Sequence, residues 1–189
     1  MKRGKKVSRF LGKLPSPLMS SPQSANTNCH VVSIGNMDIP DAAGVDLSAY
    51  SVGSSGVIAL FDETIPAGGI LYYMLPDSSL SPERALTQPS IFADTGIDLF
   101  VDSFIKHYNS KKENIRVFLA GGATAHTDDD SFKIGEKNIE RARAILKEKG
   151  LTITAEETGD PSNRTIRFQT ATGTIFVRMN AASKEIHLK

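Results

Sequence analysis

One cysteine, four histidines and a run of three aspartates are the side chains of this 189-residue chain whose types bear most directly on chemistry. Cys29 and His30 stand side by side and together would supply a thiol nucleophile and a base. Neighbours on a strand point to opposite faces, however, so the two cannot hydrogen-bond as a dyad, and Cys29 reads as a structural thiol. A lone cysteine excludes an intramolecular disulfide and fits a reducing compartment. The run Asp128-Asp129-Asp130 lacks the alternating ligands, central glycine and terminal glutamate of a calcium loop. It reads as a solvated acidic loop, so no metal site is expected. His107 falls on the polar side of a helix, and His187 lies in a C-terminal extension. With no P-loop, zincin or dinucleotide signature, no cofactor is expected either.

The elements that must position any site follow from periodicity. His30–Ile34 reads as a first strand closed by Gly35 and Asn36. Three β-type runs come next, Val45–Val52, Val57–Phe61 and Ile70–Leu75, with a turn at Asp62–Gly69. Runs this close in sequence usually pair antiparallel. In the Tyr72-Tyr73 pair, alternation sends one ring to the core and the other outward. Residues 77–89 are rich in serine, proline and charge and read as an exposed loop. Ile97, Phe100, Val101, Phe104, Ile105 and Tyr108 recur at helical spacing, with Asp98, Asp102 and Lys106 off the stripe.

Ile115–Ala120 is a buried-type strand ending in Gly121-Gly122. A second helix spans about Glu136–Lys149, burying Ile139, Ala142, Ile145 and Leu146, with Gly150 as its left-handed stop. Strands near Leu151–Ala155, Thr165–Thr170 and Thr174–Met179 finish the chain. The last two are joined by a hairpin turn at Ala171-Thr172-Gly173. The sum is an α+β fold, an α/β sandwich with mixed, mostly antiparallel sheets and two main helices. Its domain spans 28–180, between a tail 1–27 and an extension 181–189.

Charge separates the tail from the body. The net +1 divides into six positive charges before residue 14 (Lys2, Arg3, Lys5, Lys6, Arg9 and Lys13) and −5 over the remainder. The tail reads as solvated and disordered ahead of the Pro/Ser-rich stretch 15–23, and no nucleic-acid partner is drawn from it. No apolar run reaches the roughly 18 to 20 residues of a membrane span. Pro15 and Pro17 interrupt the only stretch that could serve as a signal-peptide core. The expectation is a cytoplasmic protein without membrane insertion.

Four local patterns, taken in order, are more specific. Val52-Gly53-Ser54-Ser55 leads straight into the apolar run Val57–Asp62. Gly68-Gly69-Ile70-Leu71-Tyr72-Tyr73-Met74-Leu75-Pro76 follows. Ala120-Gly121-Gly122-Ala123 comes after a core strand, and Ile134-Gly135-Glu136-Lys137-Asn138 opens the second helix. Ala93-Asp94-Thr95 and Ala155–Gly159 add weaker support. Over residues 45–179 this series resembles the CheD family of chemoreceptor glutamine deamidases. The resemblance implies an α/β sandwich related to deamidase toxins and a setting in bacterial chemotaxis. It implies as partners the cytoplasmic helices of chemoreceptors and a CheC-type phosphatase.

In that family a cysteine thiolate attacks the carboxamide, a histidine protonates the departing ammonia, and a threonine orients the pair. Carried over by motif, the cysteine position is Ser55, the histidine position Tyr72 and the threonine position Ala49. All three differ. A serine hydroxyl keeps its proton without a base, and a phenol, with an ordinary pKa of about 10, is no base near neutrality. In a well-studied hydrolase, losing nucleophile or base costs on the order of a millionfold in turnover, about 8 kcal/mol. The resemblance thus implies a degenerate site at Ser55, Tyr72 and Ala49, with Gly53, Ser54, Gly121, Gly122 and Ala123 lining a groove.

His126, just past Gly121-Gly122-Ala123, is a candidate substitute base for Ser55, or else a member of the exposed loop 124–130. Three readings stand. The chain is an inactive binder of receptor helices or phosphatase, a hydrolase rebuilt on Ser55, or a structural protein that has left chemotaxis.

Overall fold

The computed structural model describes residues 28–42, 44–124 and 132–189; the tail 1–27, His126 and the run Asp128–Asp130 lie outside them. In chain order the strands are β1 (Cys29–Val31), β2 (Asn36–Asp38), β3 (Asp46–Val52), β4 (Gly56–Asp62), β5 (Ala67–Tyr73), β6 (Ile115–Gly121), β7 (Ile153–Thr158), β8 (Arg164–Gln169), β9 (Thr174–Met179) and β10 (Ala182–His187). The helices are α1 (Pro82–Thr87), α2 (Ala93–Tyr108) and α3 (Ile134–Glu148).

The strands form two five-stranded sheets, ordered β1-β3-β8-β9-β10 and β2-β5-β4-β6-β7. Pairing is antiparallel except for β1 with β3 and β6 with β7. The expected mixed α+β sandwich is therefore observed. The β6–α3–β7 segment supplies the crossover that a parallel pair requires.

The second sheet is the middle layer. Val57, Ala59 and Phe61 of β4, Ile70 and Tyr72 of β5, and Phe118 and Ala120 of β6 face the first sheet. There they meet Leu47, Ala49, Ile166, Phe168, Ile175 and Val177. The alternate residues Ile58, Leu60, Leu71, Tyr73, Val117 and Leu119 face α2 and α3. A strand covered on both sides reads as a continuous apolar run, which accounts for the unbroken hydrophobicity of β4 and β5. It also corrects the expectation for Tyr72-Tyr73. Both rings are buried, at 5% and 0% exposure, one in each core.

Polar side-chain pairs bridge the open sides of the sandwich. His30 of β1 meets Asp38 of β2 at 2.8 Å. At the opposite side, Lys184 of β10 meets Glu157 of β7 at 2.6 Å.

Several further expectations change. β3 and β4 do not pair; they lie in different sheets, because residues 53–55 cross from one layer to the other. Residues 181–189 are not an extension beyond the fold. β10 pairs with β9 along its whole length, and Leu188 is fully buried between the sheets. Within 77–89 the short helix α1 forms behind Pro82, with none of its side chains buried. Cys29 is exposed on an edge strand, its Sγ 3.3 Å from the Ser48 hydroxyl. Gly150 and Gly173 stand as expected at positive φ, +73° and +74°.

Asp62 ends β4 with 1% exposure. Its carboxylate accepts hydrogen bonds from the Thr64 amide at 2.9 Å and the Thr64 hydroxyl at 2.6 Å. Burial acts to raise its pKa, but the bonds to the charged form outweigh it and hold the group below the usual carboxylate range. A depressed folded pKa adds stability that is present above the unfolded value of about 3.9 and lost as pH falls through the folded value. Asp62→Asn should therefore lower the melting temperature at pH 7 and flatten the acid limb below about pH 4. Parallel melting-temperature profiles for the two proteins down to pH 2 would remove this assignment.

Candidate functional site

The rim where β3 ends and β4 begins is built from distorted backbone. The β3–β8 register slips between Ala49 and Val52, and Ser51 takes a positive φ of +55°. A non-glycine residue in that region is strained by a kilocalorie or more, so something must hold it. The holder is Tyr72. From its place on β5, directly across from Val57, its ring enters the core between the sheets. Its hydroxyl there lies within donating distance of the carbonyls of Tyr50 at 3.2 Å and Ser51 at 3.3 Å. Ala49, fully buried opposite Ile166, completes this part of the wall.

Ser55 lies just beyond the bulge at 6% exposure. Its carbonyl accepts the Gly122 amide at 2.9 Å, and the Gly53 carbonyl accepts the Ala123 amide at 2.9 Å. Glycine is obligatory in this turn, because a Cβ on Gly121, at φ +115°, would stand 2.1 Å from the Ser55 carbonyl oxygen. Behind the turn, Arg164 of β8 is 1% exposed. It donates to the Gly121 carbonyl at 2.6 Å and also to the Gly159 carbonyl. Burial pulls its pKa below the ordinary arginine value, against Glu157 and Asp160, which act to raise it.

A second frame comes from α3. Asn138, with no exposed surface, donates through Nδ2 to the carbonyls of Ser54 at 2.9 Å and Met74 at 2.8 Å. It thereby ties the start of β4 to the end of β5. Its backbone carbonyl accepts the Tyr73 hydroxyl at 3.0 Å. That ring passes over Gly56, where a Cβ would come within 2.1 Å of it. Burial pushes the Tyr73 pKa far up, so this phenol remains a neutral donor.

Two depressions open beside the turn. One, of about 410 Å³, is lined by Ser54, Ala123, Thr124, Phe132, Ile134, Gly135, Pro161 and Asn163. The other, of about 260 Å³, shares Thr124 and adds Gly122, Glu136, Ile139, Glu140, Arg143, Thr158 and Gly159. Of the groove residues expected from sequence, Ser54 and Ala123 line the first and Gly122 the second. Gly53 packs under Asn163, and Gly121 lies beneath the Ser55 carbonyl.

The remaining histidines are occupied elsewhere. His30 pairs with Asp38, His107 with Asp41 at 3.3 Å, and His187 with Thr174 at 3.2 Å. Ser55 thus lies just ahead of β4 and Tyr72 on the neighbouring β5, with the tyrosine oxygen engaged by backbone and Ser55 closed beneath the rim.

The CheD family model, described as CheD chemotactic sensory transduction, matches residues 74–179. A Syntrophus aciditrophicus protein named "Probable chemoreceptor glutamine deamidase CheD 1" is 39% identical over 148 residues, covering 78% of this chain and 92% of its own. The chain belongs to the CheD family. A Solibacter usitatus CheD named in the same terms is 30% identical, covering 82% of this chain and 92% of its own. One from Thermococcus kodakarensis is 31% identical, covering 82% and 95%. The CheD relatives are thus not confined to bacteria. The span matched by the CheD model begins two residues after Tyr72.

Sequence reading did not single out Arg164, Asn163, Thr124 or Tyr73 as parts of this rim. Asn138 was visible only as the last letter of a motif. A charged residue at the start of a strand carries no sign that it will be buried, so Arg164 had no signal to give.

Tyr72→Phe should cost about 1 kcal/mol of unfolding free energy, the net worth of a typical hydrogen bond. Arg164→Ala should cost about 3 kcal/mol, because two buried carbonyls lose a charged donor. Urea denaturation measures both; equal losses for the two variants would refute the buried tie.

Proposed function

We propose that this CheD-family protein acts in chemotaxis by binding, in the cytoplasm, and not by hydrolysing glutamine. The observation that carries the reading is the Tyr72 hydroxyl, directed at the Tyr50 and Ser51 carbonyls. At the position that the motif assigns to the family's histidine, a group that would move protons has become a brace for backbone. Ser55 and Ala49, at the cysteine and threonine positions by the same motif, supply neither a thiolate nor an orienting hydroxyl. The relatives' name supports chemoreceptors as the bound class, namely their cytoplasmic helices, with a CheC-type phosphatase as a second partner that the family resemblance suggests.

The rival reading is a hydrolase built on Ser55 with His126 as base. In its favour, Thr124, two residues before His126, lines the same cavity as Ser54.

An ammonia-release assay on glutamine-bearing chemoreceptor cytoplasmic fragments separates the two. The natural protein should bind the fragments saturably and release no ammonia above the uncatalysed rate. Ammonia release that disappears in both Ser55→Ala and His126→Ala would establish the rival. A chain carrying Ser55→Cys, Tyr72→His and Ala49→Thr should gain measurable release, at some cost in stability, since it loses the Tyr72 brace and overfills the Ala49 position.

A further inference from the structure

We infer that the outer face of the first sheet holds a second binding site, distinct from the rim, that takes an acidic segment of a partner protein. The site is a depression of about 370 Å³ lined by Thr165, Arg167 and Gln169 of β8, Phe176 and Arg178 of β9, and Ser183 of β10. None of these residues lines either depression at the rim.

Strand alternation puts them on one face. Ile166 and Phe168 of β8, and Ile175 and Val177 of β9, point into the core between the sheets, so the residues between them point outward. There Thr165 stands opposite Arg178, and Arg167 opposite Phe176. Both long helices pack against the second sheet and leave this face open, with Arg178 and Ser183 exposed.

Charge complementarity selects the occupant. Two guanidinium groups line the depression, and among the described residues no carboxylate does. Arg167 is anchored to the buried Asp46, whose Oδ2 lies 3.0 Å from its Nε and 2.7 Å from its Nη2. The Arg178 side chain has no partner among the described residues. A guanidinium with free N–H groups receives a carboxylate through two parallel bonds. The Thr165 and Ser183 hydroxyls and the Gln169 amide, likewise unpartnered among the described residues, can pair with peptide groups beside it. The half-buried Phe176 ring supplies an apolar floor.

Glu185 limits the footprint. It stands opposite Phe176 on the β10 side, outside the lining, with His187 at 3.5 Å. An anionic surface as broad as a membrane would press against this carboxylate, whereas one extended segment lying along β8 and β9 avoids it.

The test is fluorescence anisotropy of the full chain with a labelled peptide of alternating glutamate and serine, beside its glutamine counterpart. The glutamate peptide should bind saturably and at least about tenfold more tightly, and added salt should weaken it. Arg178→Glu, at an exposed position, should reduce that affinity by at least about tenfold while circular dichroism stays unchanged. Glu185→Gln should raise it. No saturable binding, or equal affinity for the two peptides, overturns the inference. Binding that neither substitution alters comes from elsewhere on the chain, the basic residues 2–13 included, and also overturns it. Sedimentation with phosphatidylglycerol vesicles that is lost in Arg178→Glu, without peptide binding, would make this face a lipid site and overturn the choice of partner.

Discussion

Arg164 carries a positive charge into a space between two sheets where it is 1% exposed, and among the described residues its acceptors there are main-chain oxygens. A guanidinium so placed is tolerable only while its carbonyls stay where they are. The charge of β8, in one sheet, therefore dictates the position of the Gly121 turn, in the other. Through the Gly122 amide that turn fixes the Ser55 carbonyl, and through the Ala123 amide it fixes Gly53. Gly53 and Ser55 of the rim are held to this turn, and a glycine at 121 is the condition for making it.

The family resemblance and the rim give different accounts of what the site is for. The stretches that carry the resemblance shape the rim: the Gly121-Gly122 turn, the strand into Met74 and the Asn138 bridge all hold the geometry in place. Tyr72 and Ala49, where the resemblance leads one to expect reactive groups, both face inward. Tyr72 braces a strained bulge, and Ala49 packs against the neighbouring strand. The polar groups left facing outward are Ser54, Thr124 and Asn163.

Much of the fold was legible because apolar period and turn chemistry agree along most of the chain. The stripe of α2, the stop at Gly150 and the hairpin at Gly173 are local signals. What could not be read was long-range. β3 and β4 look like consecutive partners, and only the crossing at residues 53–55 separates them. β10 is polar because it is an edge, so it resembled a tail. The contacts around the candidate site were not legible. That Tyr72 spends its hydroxyl on the β3 bulge depends on a register slip that no period reveals, and the burial of Arg164 depends on the tertiary fold.

The Lys184–Glu157 pair has a consequence for how the protein behaves in a crowd. β10 ends its sheet with unpaired backbone groups, which is the arrangement through which chains stick to one another and grow into fibres. Lys184 sits on the core-facing side of that edge, opposite Val177, and reaches across to Glu157. A second molecule adding its strand there would have to bring apolar side chains up to an ammonium group and strip it of water. The same contact that shuts the side of the sandwich thus acts as a gatekeeper against aggregation.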